Sequence, residues 1–304
     1  MNVKINSHLL SGFAGATLAF ILFQTLGFTE QKRNFAPIFP DNYKVVSIPI
    51  PNNINFAGEQ IPTDLEDVKE RFERELLVNT YWHSQTLLMI KRANRWFPVI
   101  EPILKENGVP DDFKYLALIE SGFLNLTSSA GAKGFWQFLD ETGKIYNLEI
   151  NKEVDERYHV EKATEAACKY LKDAHAKLGS WSLAAGGYNM GNAGIVRQLT
   201  RQKSDNYYDL FLNEETSRYV FRILAAKAVL ENPKKYGFFI DEDELYKPYK
   251  FETVQVSSSI SDIGEWAKTN NTTYKHIKLL NPWLRDNSLT VSSGKVYEIK
   301  IMKN

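Results

Sequence analysis

The stretch Tyr115-Leu116-Ala117-Leu118-Ile119-Glu120-Ser121-Gly122-Phe123 constrains the fold of this chain more than any other. Asp111 and Asp112, placed after Gly108-Val109-Pro110, mark the start of a helix, and five apolar residues then run up to the carboxyl of Glu120. A carboxyl that closes an apolar helix is desolvated, and desolvation disfavours its charged form. Held protonated, it is an acid at neutral pH. Alone, a helix-terminal Glu is weak evidence, because most are solvated. Here it is followed by Ser128-Ser129-Ala130-Gly131-Ala132-Lys133-Gly134-Phe135-Trp136-Gln137, a small and glycine-rich segment that lets polar backbone and hydroxyls crowd around the carboxyl. The two segments together point to a cleft with one acid.

The surroundings read as helix. After Pro62-Thr63-Asp64, with Thr63 or Asp64 as cap, Leu65, Val68, Phe72, Leu76 and Leu77 recur on one face up to Thr80. Further periodic stretches run from His83 to Asn107, from Val160 to Leu178 before Gly179, and from Thr216 to Leu230 before Asn232-Pro233. Residues 29–61 hold Pro37, Pro40, Pro49 and Pro51 and two Asn-rich turns, with Val45-Val46-Ser47-Ile48 as the sole strand-like run. They read as an extended linker. After Pro248 the pattern changes to strand (Phe251–Val256), helix (Ile260–Asn270), helix (Thr273–Leu280) and strand (Val296–Ile301).

Two more blocks follow the first two, Ala184-Ala185-Gly186-Gly187-Tyr188-Asn189-Met190-Gly191 and Glu215-Thr216-Ser217-Arg218-Tyr219-Val220. The ordered set, E-S, G-A-x-G-hydrophobic-x-Q, A-x-Y-N-x-G and E-T-x-x-Y-V, resembles the soluble lytic transglycosylase family of peptidoglycan-cleaving enzymes over roughly residues 90 to 230. It is most similar to the membrane-bound type D branch, in which LysM wall-binding modules follow the transglycosylase domain. The departures are at Gly186 and Gly187, where alanines or larger residues are common, and at Asp140, where the family usually has proline. The resemblance implies a mainly α fold: a lysozyme-like helical transglycosylase domain over 62–245 (core 90–230), then a small βααβ LysM-like module over 248–304. The module's marks are Ser261–Ala267, Ile277–Pro282 and Ser293-Gly294-Lys295. It lacks the glycine of the usual Gly-Asp turn at Ser261-Asp262, which leaves sugar binding and a structural role both open.

The resemblance also assigns roles. Glu120 is the catalytic acid. Tyr219 holds its carboxyl. Ser128, or Ser129 in its place, lies near the acid and the substrate's acetamido group. Gln137 and Asn189 offer donors and acceptors to sugar groups, and Tyr188 supports a sugar ring or packs in the core. Most glycoside hydrolases use two carboxylates, but only Glu120 stands in a motif. Asp140 and Glu141 read as first-turn acids that favour the helix dipole. One carboxyl serving both proton transfers fits lytic cleavage of the β-1,4 bond between N-acetylmuramic acid and N-acetylglucosamine, with closure of a 1,6-anhydromuramyl end. Hydrolysis by a muramidase and a non-catalytic wall-binding scaffold are the alternatives.

Composition excludes other classes. The 37 basic and 37 acidic side chains cancel, so no long-range field recruits nucleic acid. Cys168 is the single cysteine, which rules out an intrachain disulfide, and the five histidines lack metal-ligand spacing. Neither a metal nor another cofactor is expected. Leu9 to Leu26 is eighteen residues without a charge, long enough to cross a bilayer. Residues 1–28 are therefore an anchor or a signal segment. The expected location is the cell envelope, on its periplasmic face, membrane-anchored or secreted. The expected partners are peptidoglycan glycan strands and, through the N-terminal segment, the membrane; no protein partner is identified.

Overall fold

The computed structural model describes residues 44–303. The N-terminal anchor or signal segment and the first part of the linker lie outside them. Among the described residues no helix is long and apolar enough to cross a membrane. Residues Ile48–Asn304 form one compact unit.

Eight helices build the larger part: α1 (Glu66–Tyr81), α2 (His83–Glu106), α3 (Phe113–Ser121), α4 (Asp140–Ile145), α5 (Val160–Leu178), α6 (Trp181–Met190), α7 (Asn192–Gln202) and α8 (Glu214–Glu231). The chain is mainly α, as its periodicity requires. Two helices are wrapped on nearly all sides. On α3, Phe113, Tyr115, Leu116, Ala117 and Leu118 are buried. On α8, Tyr219, Val220, Phe221, Ile223, Leu224, Ala225, Ala226 and Val229 are buried. Most positions of both helices face inward, so α3 and α8 pack against each other, with α1 and α6 also on α8 and α2 also on α3. That crossing fixes the site.

The linker reading of 29–61 needs correction over its second half. Residues Asn55–Phe56 (β1) and Glu59–Gln60 (β2) form an antiparallel hairpin. Its two loop residues, Ala57 and Gly58, both have positive φ, as the tight turns that match strand twist demand. Phe56 is fully buried and meets the Phe113 ring edge-on at 5.2 Å. The Glu59 carboxylate accepts from Ser182 N–H at 2.9 Å and from the Ser182 hydroxyl at 2.7 Å at the start of α6, where unpaired N–H groups favour an anion. Ile48 and Ile61 also join the core. The strand-like run at 45–48 forms no strand.

Two expected caps differ as well. Leu65, not Thr63 or Asp64, stands at the N-cap of α1, and the acids of its first turn are Glu66 and Asp67. Asp112 occupies the N-cap of α3 without a capping bond. Its carboxylate instead accepts from Ala57 N–H at 2.7 Å and from Lys227 Nζ at 2.8 Å, which pins the acid-bearing helix to the hairpin and to α8.

The C-terminal module has the anticipated βααβ order. Strands β3 (Phe251–Val256) and β4 (Tyr297–Met302) pair antiparallel in register from Phe251↔Met302 to Val256↔Tyr297. Between them lie α9 (Ile263–Thr269) and α10 (Tyr274–Leu280), each with a side-chain cap, from Asp262 and Thr273. Ile263, Ala267, Ile277, Trp283 and Ile299 form its core, completed by Val154 and Tyr158 from the segment before α5.

Candidate active site

Glu120 occupies the last turn of α3, and Gly122 ends that helix in the left-handed conformation, its N–H donating to Leu118 O at 2.7 Å. Phe123 is also left-handed, so the chain turns sharply away just after Glu120, which is half-buried. Ser121, buried, fixes the turn. Its hydroxyl accepts from Phe123 N–H at 3.1 Å and lies 3.2 Å from Ala117 O and 3.0 Å from Phe135 O, to one of which it donates. The serine of the E-S pair thus joins the end of the acid helix to the glycine-rich loop.

The Tyr219 hydroxyl, from the second turn of α8, donates to Glu120 Oε1. Burial pushes the Glu120 carboxyl above the usual carboxylate range; the Tyr219 bond and the Arg222 charge pull against the shift, and the Glu215 carboxylate adds to it. The net direction is up, as expected for a carboxyl ending an apolar helix. Tyr219 itself is fully buried, and burial and the Glu120 charge push its hydroxyl well above its ordinary value. It remains a neutral donor.

Glu215, Tyr219 and Arg222 share one face of α8, at spacings of four and three residues. Arg222 donates to Ile119 O at 3.0 Å. Asn213 caps the helix through Thr216 N–H. Asn189, at the end of α6, donates to Glu215 Oε1 at 2.9 Å and accepts from the Thr216 hydroxyl at 2.7 Å. It therefore joins α6 to the first turn of α8. Tyr188 beside it donates to Trp136 O at 2.6 Å, and its ring lies among Trp136, Phe138 and Tyr170. That is the core-packing arrangement rather than an open platform, although the Glu120 charge still reaches its hydroxyl. Gly186 and Gly187 are filled against: a Cβ on the first would meet the Tyr207 ring at 3.0 Å and one on the second Asn192 Oδ1 at 2.3 Å. They serve side-chain packing inside the bundle.

The loop between α3 and α4 is anchored by Trp136, whose buried ring N–H donates to Thr164 Oγ1 at 2.9 Å. Gln137 adopts a left-handed conformation, and its Nε2 donates to Gly134 O at 2.8 Å. Ser128 Oγ accepts from Ala132 N–H at 3.0 Å. The structure thus joins Glu120 to Tyr219 and Asn189 to Glu215, whereas Ser128 and Gln137 are held by bonds within their own loop. Ser129 is exposed. Asp140 and Glu141 stand in the first turn of α4, with Asp140 paired to Lys144.

Sequence reasoning gave no role to Ser121, Glu215 or Arg222. The first two lie inside motifs already quoted. Arg222 could have been found from its position one turn beyond Tyr219. Among the described residues, no group of three or more His, Cys, Asp or Glu side chains is placed to hold a metal ion.

Residues 97–211 match the family described as the transglycosylase SLT domain, and residues 252–304 match the soluble lytic transglycosylase C-terminal LysM-like domain. The membrane-bound lytic murein transglycosylase D of Escherichia coli K12 is 29% identical over 191 residues, covering 60% of this chain and 41% of that protein. The protein of the same name from Escherichia coli O6:H1 gives the same figures. The chain thus spans 41% of the length of the curated relatives it matches. It carries an SLT domain, lysozyme-like and mainly helical, followed by a LysM-like domain. The matched SLT span holds Glu120, Ser128, Gln137, Tyr188 and Asn189, and Tyr219 lies beyond it.

Proposed function

We propose that this chain, with its SLT domain and LysM-like domain, is a lytic transglycosylase that cleaves the β-1,4 bond between N-acetylmuramic acid and N-acetylglucosamine in peptidoglycan. The observation that carries the reading is the half-buried Glu120 carboxyl, raised in pKa and held by a neutral tyrosine hydroxyl.

Protonated Glu120 donates to the glycosidic oxygen as the bond to the muramyl anomeric carbon breaks, and N-acetylglucosamine departs with that proton. The oxocarbenium-like centre draws support from the sugar's own acetamido carbonyl. Glu120, now a carboxylate, takes the proton of the 6-hydroxyl of the same muramyl residue. That oxygen attacks the anomeric carbon and closes the 1,6-anhydro ring. Glu120 regains its proton, and no water enters. A nucleophile within the substrate is favoured because well-oriented intramolecular attack removes about 7 to 11 kcal/mol of barrier. Tyr219 keeps the carboxyl in one orientation through both transfers. In this reading Gln137, Asn189 and Ser128 address the sugar groups, with Tyr188 behind them.

One observation favours hydrolysis as a second reading: Glu215 acts electrostatically on Glu120, and a second carboxylate is what a water-activating base would be. Its engagement with Asn189 favours tuning instead. We place the chain at the periplasmic face of the cell envelope, bound to the membrane through 1–28, with 62–245 as the catalytic domain and 248–304 as the module. The uncharged run at 9–26 and the membrane-bound relatives support this.

Mass spectrometry of muropeptides released from purified peptidoglycan by the full chain tests the reading. Anhydromuramyl ends are the expected product; reducing muramyl ends mean a hydrolase, and no release moves the weight to a binding role.

A further inference from the structure

Residues 149–161, the end of the α4–α5 connection with the first two residues of α5, touch both the glycine-rich loop and the C-terminal module. On the loop side, Arg157 and Asp155, 4% and 3% exposed, form a two-point pair: Nε to Oδ1 at 2.8 Å and Nη2 to Oδ2 at 2.7 Å. Arg157 Nη1 lies 3.4 Å from both Gly131 O and Phe138 O, which flank residues 132–137 of the loop that carries Gln137. Lys133 Nζ reaches Asp155 Oδ2 at 3.4 Å. Gly134 sits so close that a Cβ on it would lie 1.9 Å from Arg157 O.

On the module side, the backbone of the same residues forms a bridge. Asp155 N–H donates to Trp283 O at 2.9 Å, and Arg285 N–H donates to Glu153 O at 2.7 Å. Val154 enters the module's core, and Trp283 stacks on His159 at 5.7 Å. The Glu153 carboxylate accepts from Ser288 Oγ at 2.8 Å and Thr290 N–H at 2.7 Å. Glu149 takes Lys295 and Tyr297, and Glu161 takes Lys300.

A buried ion pair costs desolvation that an apolar pair of similar volume avoids, so its presence argues for fixed geometry rather than for stability. The rigid guanidinium fork suits that use, since it addresses several acceptors at once. We propose that Asp155 and Arg157 are positioning residues for the loop that presents Gln137, and that the C-terminal module acts in cleavage by bracing them. The module is then a fixed support on the catalytic domain and not a free wall-binding arm. The proposal rests on the lytic transglycosylase reading for its kinetic consequence.

The test is a double-mutant cycle on the full chain with Arg157→Lys and Gln137→Ala, read as kcat/KM for muropeptide release. Arg157→Lys keeps the charge beside Asp155 and loses the fork. It should lower kcat/KM about tenfold to a hundredfold, as misplacement of a substrate-binding group does. Added to Gln137→Ala it should cost no more than about twofold further, because residues acting through one another are not additive. Full multiplication of the two effects, or an unchanged kcat/KM in Arg157→Lys, overturns the proposal. If Arg157→Lys does not fold, Glu153→Ala, at the edge of the module contact, enters the same cycle with the same two outcomes. Should the wild type release nothing, the transglycosylase reading has failed, and amide exchange decides separately. Faster exchange at 131–138 in Glu153→Ala supports the brace, and unchanged exchange removes it.

Discussion

The Tyr219 hydroxyl donates to Glu120 Oε1 across 99 residues of sequence, from the second turn of one buried helix to the last turn of another. Most residues of both helices are buried, so the contact follows from how α3 and α8 cross. The energy that buries these faces also desolvates the acid and raises its pKa.

Tyr219→Phe removes the donor but keeps the ring. We expect kcat to fall about tenfold to a hundredfold, the cost of a misplaced reacting group. The alkaline limb of the pH–rate profile should move to higher pH, because the lost bond favoured the carboxylate form. A steady-state profile of the variant checks both.

Glu215→Gln should move the same limb the other way. Its negative charge raises the Glu120 pKa, so its removal lets Glu120 lose its proton at lower pH. A limb that stays in place would mean that the two carboxyls do not interact.

Much of this was legible in the sequence. The helices of the bundle show their period, and α5 and β3 begin and end where the pattern puts them. Glu120 and Tyr219 were legible because an apolar helix with a terminal carboxyl and an ordered set of motifs are both local signals. The hairpin over 55–60 was not. It is held by Phe56 and Glu59, single residues without a period, and their partners are Phe113 and Ser182. The same holds for Ser128 and Gln137, whose bonds within the loop depend on left-handed backbone that composition does not reveal. The docking of the module on 149–161 rests on contacts more than 100 residues apart, which no local pattern carries.

Gly134→Ala should disturb the loop rather than the bundle. The residue has φ +76°, and its Cβ would overlap Arg157 O. The strained backbone alone costs about 1 to 3 kcal/mol. A lowered Tm with retained far-UV helicity is the expected result.

Glu120→Gln should raise stability at alkaline pH. Because the folded pKa of Glu120 is raised, its favourable contribution is present in full below the unfolded carboxyl value and is lost as pH rises through the folded one. Above that point the buried carboxylate weakens the fold, and Gln carries no such charge. Thermal unfolding across pH should show the variant above the wild type on the alkaline side, the two converging in acid.

The central claim is that Glu120 moves both protons and that water takes no part. Cleavage of peptidoglycan in oxygen-18 water by the full chain, with Glu120→Gln alongside, tests it most directly. The account predicts anhydromuramyl ends without heavy oxygen from the wild type and no release from the variant. Heavy oxygen at the muramyl anomeric carbon, or comparable turnover by Glu120→Gln, would contradict it.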